Sequence, residues 1–250
     1  MEFHFSCTEC GKCCFGCLPL TLDDALAHIG SFPLAFVWTT VPSSARNYPL
    51  ATKLGFALPT GKRAAAIIMP TAYIPSSFPC PELSNDGRCG IHENKPSRCK
   101  TMPFYPYREE ADQRDMLIPR KTWLCQTSLA APVVYRNGTI VDRANFDIER
   151  KALLDQAPVM QQYANYMFKY SPWVIGSLAA MASNPAGSVI TSLSSFLTAT
   201  KHLDATEIAR QQLPVFEEFA ARTADNPEFA DYHRNYSGWA KEMAYLSSRA

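Results

Sequence analysis

The chain has 250 residues, 47% of them hydrophobic and 19% charged, which is enough apolar material for one large folded domain or two small ones. Twenty-four basic residues against 23 acidic ones leave a formal charge of +1. That balance excludes a global field drawing the chain to nucleic acid or to anionic membrane, so neither is expected as a partner, while a protein partner stays open.

The start, Met1 to Cys7, has neither the basic nor the apolar region of a secretory signal, and the apolar stretch Trp173 to Ala182 is too short to span a bilayer. A cytoplasmic location is expected. Thiols stay reduced there, so nine cysteines point to metal rather than to disulfides.

All nine cysteines lie between Cys7 and Cys125. This asymmetry divides the chain into a cysteine-cluster metal-binding domain, 1–142, and a helical domain, 143–250. The expected fold class is α+β, mostly α: an irregular, loop-rich half with short strands, followed by a helical bundle able to fold by itself. In chain order, Thr21 should cap a helix reaching Ala27 and His28, with Asp23 and Asp24 in its first turn. Ala64 to Met69 reads as a short strand. Prolines between Pro70 and Pro119 break any long helix, and Pro96 should open a short helix carrying Cys99. Val133 to Arg136 and Thr139 to Asp142 flank Asn137-Gly138, a pair that favours a tight hairpin. From Asn145 onward helical stretches are expected, separated by Pro158, Pro172, Pro185, Pro214 and Pro227. Phe216, Phe219 and Ala220, and again Trp239, Met243 and Leu246, recur as one apolar helix face.

The run Cys7-Thr8-Glu9-Cys10-Gly11-Lys12-Cys13-Cys14-Phe15-Gly16-Cys17 holds five thiols in eleven residues. Thiolates two residues apart in a tight turn converge on one ion, and Gly11 and Gly16 supply the backbone freedom such turns need. Cys7, Cys10, Cys13 and Cys17 also match a C-x2-C-x2-C-x3-C iron–sulfur spacing, without a second copy. Adjacent Cys13 and Cys14 should diverge and serve different purposes. Farther on, the Asp86-Gly87 turn should set Cys80 and Cys89 on neighbouring limbs of a loop. Lys95, Arg98 and Lys100 surround this region with positive charge that offsets thiolates.

Taken together these segments resemble the CxxCxxCC family of zinc- or iron-chelating (YkgJ-like) cysteine-cluster proteins, related to the N-terminal part of flagellin lysine N-methylases. The shared pattern is the CxxCGxCC start at Cys7 to Cys14, the helix start at Leu20 to Asp24, Cys80, the G-x-C-x-I-x-E-x-[KR]-P-x-x-C core from Gly87 to Cys99, and Pro103-Phe104. His92, Lys95 and Lys100 depart from it mildly, and Cys17 lies outside it. The resemblance covers about the first half and implies Cys7, Cys10, Cys13, Cys14, Cys80, Cys89, Cys99 and Cys125 as metal ligands. An iron–sulfur cluster is the expected cofactor, with zinc as alternative. The spacing further suggests that Cys7, Cys10 and Cys13 share a site completed by one later cysteine, with Cys17 dispensable.

The expected function is metal binding with a structural or electron-carrying site. Protein lysine N-methyltransfer is the alternative, and it alone would require S-adenosylmethionine. No G-x-G-x-x-G or G-x-S-x-G is present, Gly55 to Arg63 misses the phosphate-loop spacing, and His92-Glu93 lacks the second histidine of a zinc protease. His4, His28, His202 and His233 read as surface or satisfied core residues. Phe104, Tyr105 and Tyr107 should pack around the metal loops.

Overall fold

The computed structural model describes residues 2–59, 63–117, 119–120, 122–183, 187–201 and 203–249, apart from the Met116 side chain. Gly61 and Lys62 of the rejected phosphate loop, Pro185 and His202 lie outside them. The chain runs β1 (Glu2–His4), β2 (Leu18–Pro19), α1 (Leu22–Ala27), β3 (Leu34–Pro42), α2 (Tyr48–Leu54), β4 (Phe56–Ala57) and β5 (Ala64–Ala72). It continues through α3 (Ser97–Thr101), β6 (Val133–Arg136), β7 (Thr139–Ile140), α4 (Ala144–Tyr170), α5 (Trp173–Met181) and β8 (Val189–Ser192). The last helices are α6 (Leu193–Ala199), α7 (Ala205–Thr223) and α8 (Ala230–Ser247). This is the expected α+β class with helix dominant.

A five-stranded antiparallel sheet, ordered β2-β5-β3-β8 with β4 also on β5, forms the centre. Its two long strands pair over nine residues each, from Leu34 opposite Ala72 to Pro42 opposite Ala64. They exceed the short strand expected at Ala64 to Met69. Both sheet faces are covered, and the period-two rule sorts the side chains of β5. Ala65 and Ile67 pack with Ala51 of α2, while Ala64, Ala66, Ile68 and Ala72 enter the main core. β5 is buried on both faces and shows no polar alternation, whereas β3 leaves Thr39 exposed and carries the apolar Val37 and Val41 on that same half-buried face, so its apolar and polar residues do not alternate either. Small side chains also let the backbone close up. At Gly55 an added Cβ would lie 1.9 Å from the Ala66 carbonyl oxygen, so only glycine fits between α2 and β5.

The main core crosses the expected boundary at 142/143. It joins Trp38, Phe36, Ile68 and Ile74 to Tyr163, Phe196, Phe216, Tyr236 and Met243. Strand β8 pairs with β3 from Ala35 opposite Ser192 to Trp38 opposite Val189. Gln212 of α7 clamps the approach to β3: its amide donates to the Phe32 carbonyl at 2.7 Å and to that of Ile29, and its oxygen accepts from Leu34 N at 3.1 Å. The apolar faces read on α7 and α8 meet in this core, with Phe216 5.5 Å from Trp239 ring to ring.

Two of the expected helix separators lie inside helices. Pro158 sits within α4 and Pro214 within α7. Each removes one backbone hydrogen bond, a loss of about 3 kcal/mol in an isolated helix, but buried neighbours such as Ala157 and Met160, or Val215 and Phe216, hold the turns in place. Pro172 stands at the start of α5, where proline is tolerated. Local signals fared well elsewhere. The Thr21 hydroxyl accepts from Asp24 N, and Asn137 and Gly138 take φ of 50° and 85° between β6 and β7, although β7 stops at Ile140.

Candidate metal centre

The cysteine run is an irregular knuckle laid over the later loops. Glu9 and Gly11 both adopt positive φ, 55° and 67°, and the Cys14 N–H donates to the Gly11 carbonyl at 3.0 Å. A Cβ at Gly11 would stand 2.5 Å from the Gly87 carbonyl oxygen, so the knuckle and the Asp86-Gly87 turn touch backbone to backbone. Cys80 N donates to the Cys14 carbonyl at 2.8 Å, and Phe15 bridges to Pro79. On its other side the knuckle meets 122–126: Ser6 and Gln126 exchange backbone hydrogen bonds of 2.8 and 3.0 Å, and the Thr8 hydroxyl donates to the Leu124 carbonyl at 3.1 Å.

The 80–90 loop is the expected hairpin-like turn. Leu83 bridges to Cys89, Ser84 N donates to the Arg88 carbonyl, and Gly90 N donates to that of Glu82. Pro96 precedes α3, which carries Cys99. That helix is fixed twice over. Asp24 of α1 accepts from Ser97 N at 3.0 Å, and Arg98 reaches into α4, where its Nη1 donates to Glu149 Oε1 at 3.2 Å. Arg98 Nη2 also donates to the Phe104 carbonyl, and its guanidinium lies 4.7 Å from the Tyr105 ring centroid. Arg98 and Glu149 keep only 4% and 3% of their side chains exposed. Arg98, expected with Lys95 and Lys100 to offset thiolate charge, is thus buried and paired as an internal anchor for α3, and its charge still favours the Cys99 thiolate. Nothing in the local pattern signals this pair, because its acidic member arrives 51 residues later.

Electrostatics show which thiols are neighbours. Cys13 and Cys14 share a side-chain hydrogen bond, so the adjacent sulfurs meet where divergence was expected; the turn folded back at Gly11 accounts for it. That bond lowers Cys13 to about 6, against burial of its sulfur and with help from Lys95, and it raises Cys14. Cys13 is exposed as a residue although neighbouring atoms crowd its sulfur. Burial raises Cys80 to about 11 and Cys99 to about 12, and each also feels Cys13 and Cys89. Cys125 is raised by burial and then by Cys10, Cys7 and Cys13. At Cys10, burial is outweighed by the Lys12 and Leu124 backbones and the Thr8 hydroxyl, which leave its thiol below the ordinary value.

All eight sulfurs of the expected ligand set thus occupy one continuous region. Cys17 turns elsewhere: its Sγ donates to the Ile74 carbonyl at 3.3 Å and faces Tyr232. Among the described residues no three His, Cys, Asp or Glu side chains already converge as a finished coordination shell. The donor set itself is all thiol, which suits zinc or an iron–sulfur cluster. His4 and His233 are satisfied by the Ala131 and Ala220 carbonyls, at 2.7 and 2.9 Å. His92 lies 3.8 Å from Glu9 at the rim. Phe104 is buried with Tyr135 and Phe146, and Tyr105 packs edge-on against Tyr107. No helix among the described residues is long and apolar enough to cross a membrane. Compared with protein-family models, curated proteins and solved structures, the chain matches none.

Proposed function

We propose that the chain is a metal-binding cysteine-cluster protein of the CxxCxxCC zinc- or iron-chelating kind, acting in the reducing cytoplasm. Its thiolates hold an iron–sulfur cluster, or zinc in its place, at a site that is structural or carries electrons. The observation that carries this reading is the meeting of thiols from separate segments: the knuckle at Cys13 and Cys14, the loop at Cys80 and Cys89, and α3 at Cys99. A core seeking only burial has no reason to gather five thiols beside a lysine at the rim, where charge is tolerated. Soft thiolates select zinc and iron–sulfur over hard cations. When bound, the metal replaces the thiol protons and ties the knuckle to loops some seventy residues away, a closure whose benefit grows slowly with loop length.

Anaerobic purification followed by elemental analysis and an absorption spectrum tests the proposal. Iron with sulfide and a brown charge-transfer band is the expected result, and colourless zinc in stoichiometric amount supports the zinc form. A chain that retains neither, and takes up neither when reduced and reconstituted, refutes it.

A further inference from the structure

We infer that the eight clustered cysteines form two thiolate centres and not one, with Cys7, Cys10, Cys125 and Cys13 holding a second metal apart from the centre of Cys14, Cys80, Cys89 and Cys99. The inference rests on the metal-binding reading above. It begins with backbone geometry. Ser6 and Gln126 form an antiparallel bridge with both hydrogen bonds made, which sets Cys7 and Cys125 as the next residue on each limb beside it. Thr8 is pinned to the Leu124 carbonyl, which holds the Cys7–Cys10 turn over the same segment. The Glu9 N–H donates to the Cys7 sulfur at 3.4 Å, a partner suited to a thiolate.

The other centre is built from different parts. Cys14 is tied through its carbonyl to Cys80 N, Cys89 lies on the facing limb of the 80–90 loop, and Cys99 rides on α3. Neighbour relations divide along the same line. Cys125 feels Cys10, Cys7 and Cys13, whereas Cys99 feels Cys13, Cys80 and Cys89. Only Cys13 belongs to both groups. Thiolate sites for zinc or iron–sulfur take four cysteines each, and eight divide evenly. Cys13 and Cys14 are adjacent in the chain, and neighbouring side chains can turn to separate metals. The ligand class of the second centre is a thiophilic ion or cluster like the first.

Anaerobic titration of the reduced, metal-free full-length chain with Co²⁺, followed by the thiolate charge-transfer and d–d bands, tests the division. The wild type should take two equivalents in tetrahedral thiolate sites. Cys7→Ser and Cys125→Ser should each retain one, as should Cys80→Ser and Cys99→Ser, while a Cys80→Ser/Cys125→Ser double variant should retain none. Cys17→Ser should keep both, and circular dichroism confirms that each variant is folded; Cys7, exposed at the knuckle, is the substitution least able to disturb the fold. One equivalent in the wild type, left whole by Cys7→Ser and Cys125→Ser, overturns the second centre and leaves metal binding intact. Loss of all cobalt on any single substitution shows one shared centre and also overturns it. A wild type that binds no cobalt removes the metal-binding reading along with it.

Discussion

Cys13 and Cys14 hold the pH behaviour of the metal-free protein. Cys13, lowered to about 6 by its bond to Cys14, is a thiolate at neutral pH, whereas burial keeps Cys80 and Cys99 protonated up to about 11 and 12. Since the thiolate is the nucleophile, alkylation of reduced, metal-free chain by iodoacetamide should rise through about pH 6 at Cys13, long before Cys80 or Cys99 reacts. Mass mapping of the labelled thiols across pH gives the profiles, and a Cys13 midpoint near 8.5, the value of a free thiol, contradicts the arrangement. Stability follows with opposite signs. A depressed acid stabilises the fold above its unfolded value and loses that contribution as pH falls through about 6 at Cys13. Raised acids do the reverse, so Cys80 and Cys99 should make the metal-free chain less stable as pH climbs from the free-thiol value toward about 11.

Among the elements, the short α3 does more than its five residues suggest, because it hands Cys99 to the site from a buried anchor. Glu149→Leu strands the Arg98 guanidinium inside and should cost about 3–5 kcal/mol in urea unfolding, whereas Arg98→Met with Glu149→Leu should regain most of it. A double variant no more stable than the single one contradicts this account. At the knuckle, Gly11→Ala must adopt a left-handed φ and push against Gly87, so about 1–2 kcal/mol of strain should fall on the contact between the two loops. Faster hydrogen exchange confined to the knuckle and the 80–90 loop is the expected signature; an unchanged exchange map would show that the approach is not tight.

How legible these elements were in the sequence follows from the range of the forces that make them. The Thr21 cap, the Asn137-Gly138 turn and the Pro96 helix are set by contacts within a few residues, and each could be read. Strand β3 does not announce itself by alternation, because Val37 and Val41 are apolar on the half-exposed face that also carries Thr39, although Phe36-Val37-Trp38-Thr39-Thr40-Val41 holds strong β-forming residues. Pro158 and Pro214 misled because tertiary packing overrode local propensity. Cysteine spacing identified the thiols, but their neighbours depend on the Ser6–Gln126 bridge and the Gly11–Gly87 contact, which no local pattern announces.

At the scale of the molecule, the cysteine loops hang on a core shared by both halves. Residues 143–250 alone would lose the strand that β8 pairs with and uncover Tyr163, Phe196 and Met160. The separate unit expected from the sequence should therefore melt without a sharp transition when cut out, even though α7 and α8 still pack on each other. Cooperative unfolding of that fragment at the temperature of the whole chain would contradict a shared core. The sheet and its helices supply the fixed platform, and the thiol-bearing segments meet at its rim.

X-ray absorption at the metal edge of the full-length, anaerobically purified protein tests the central claim most directly, because it counts the atoms bound to the metal. Thiolate coordination predicts a sulfur shell, at about 2.3 Å if the metal is zinc. A shell dominated by nitrogen or oxygen at about 2.0–2.2 Å around zinc would contradict the cysteine centre itself.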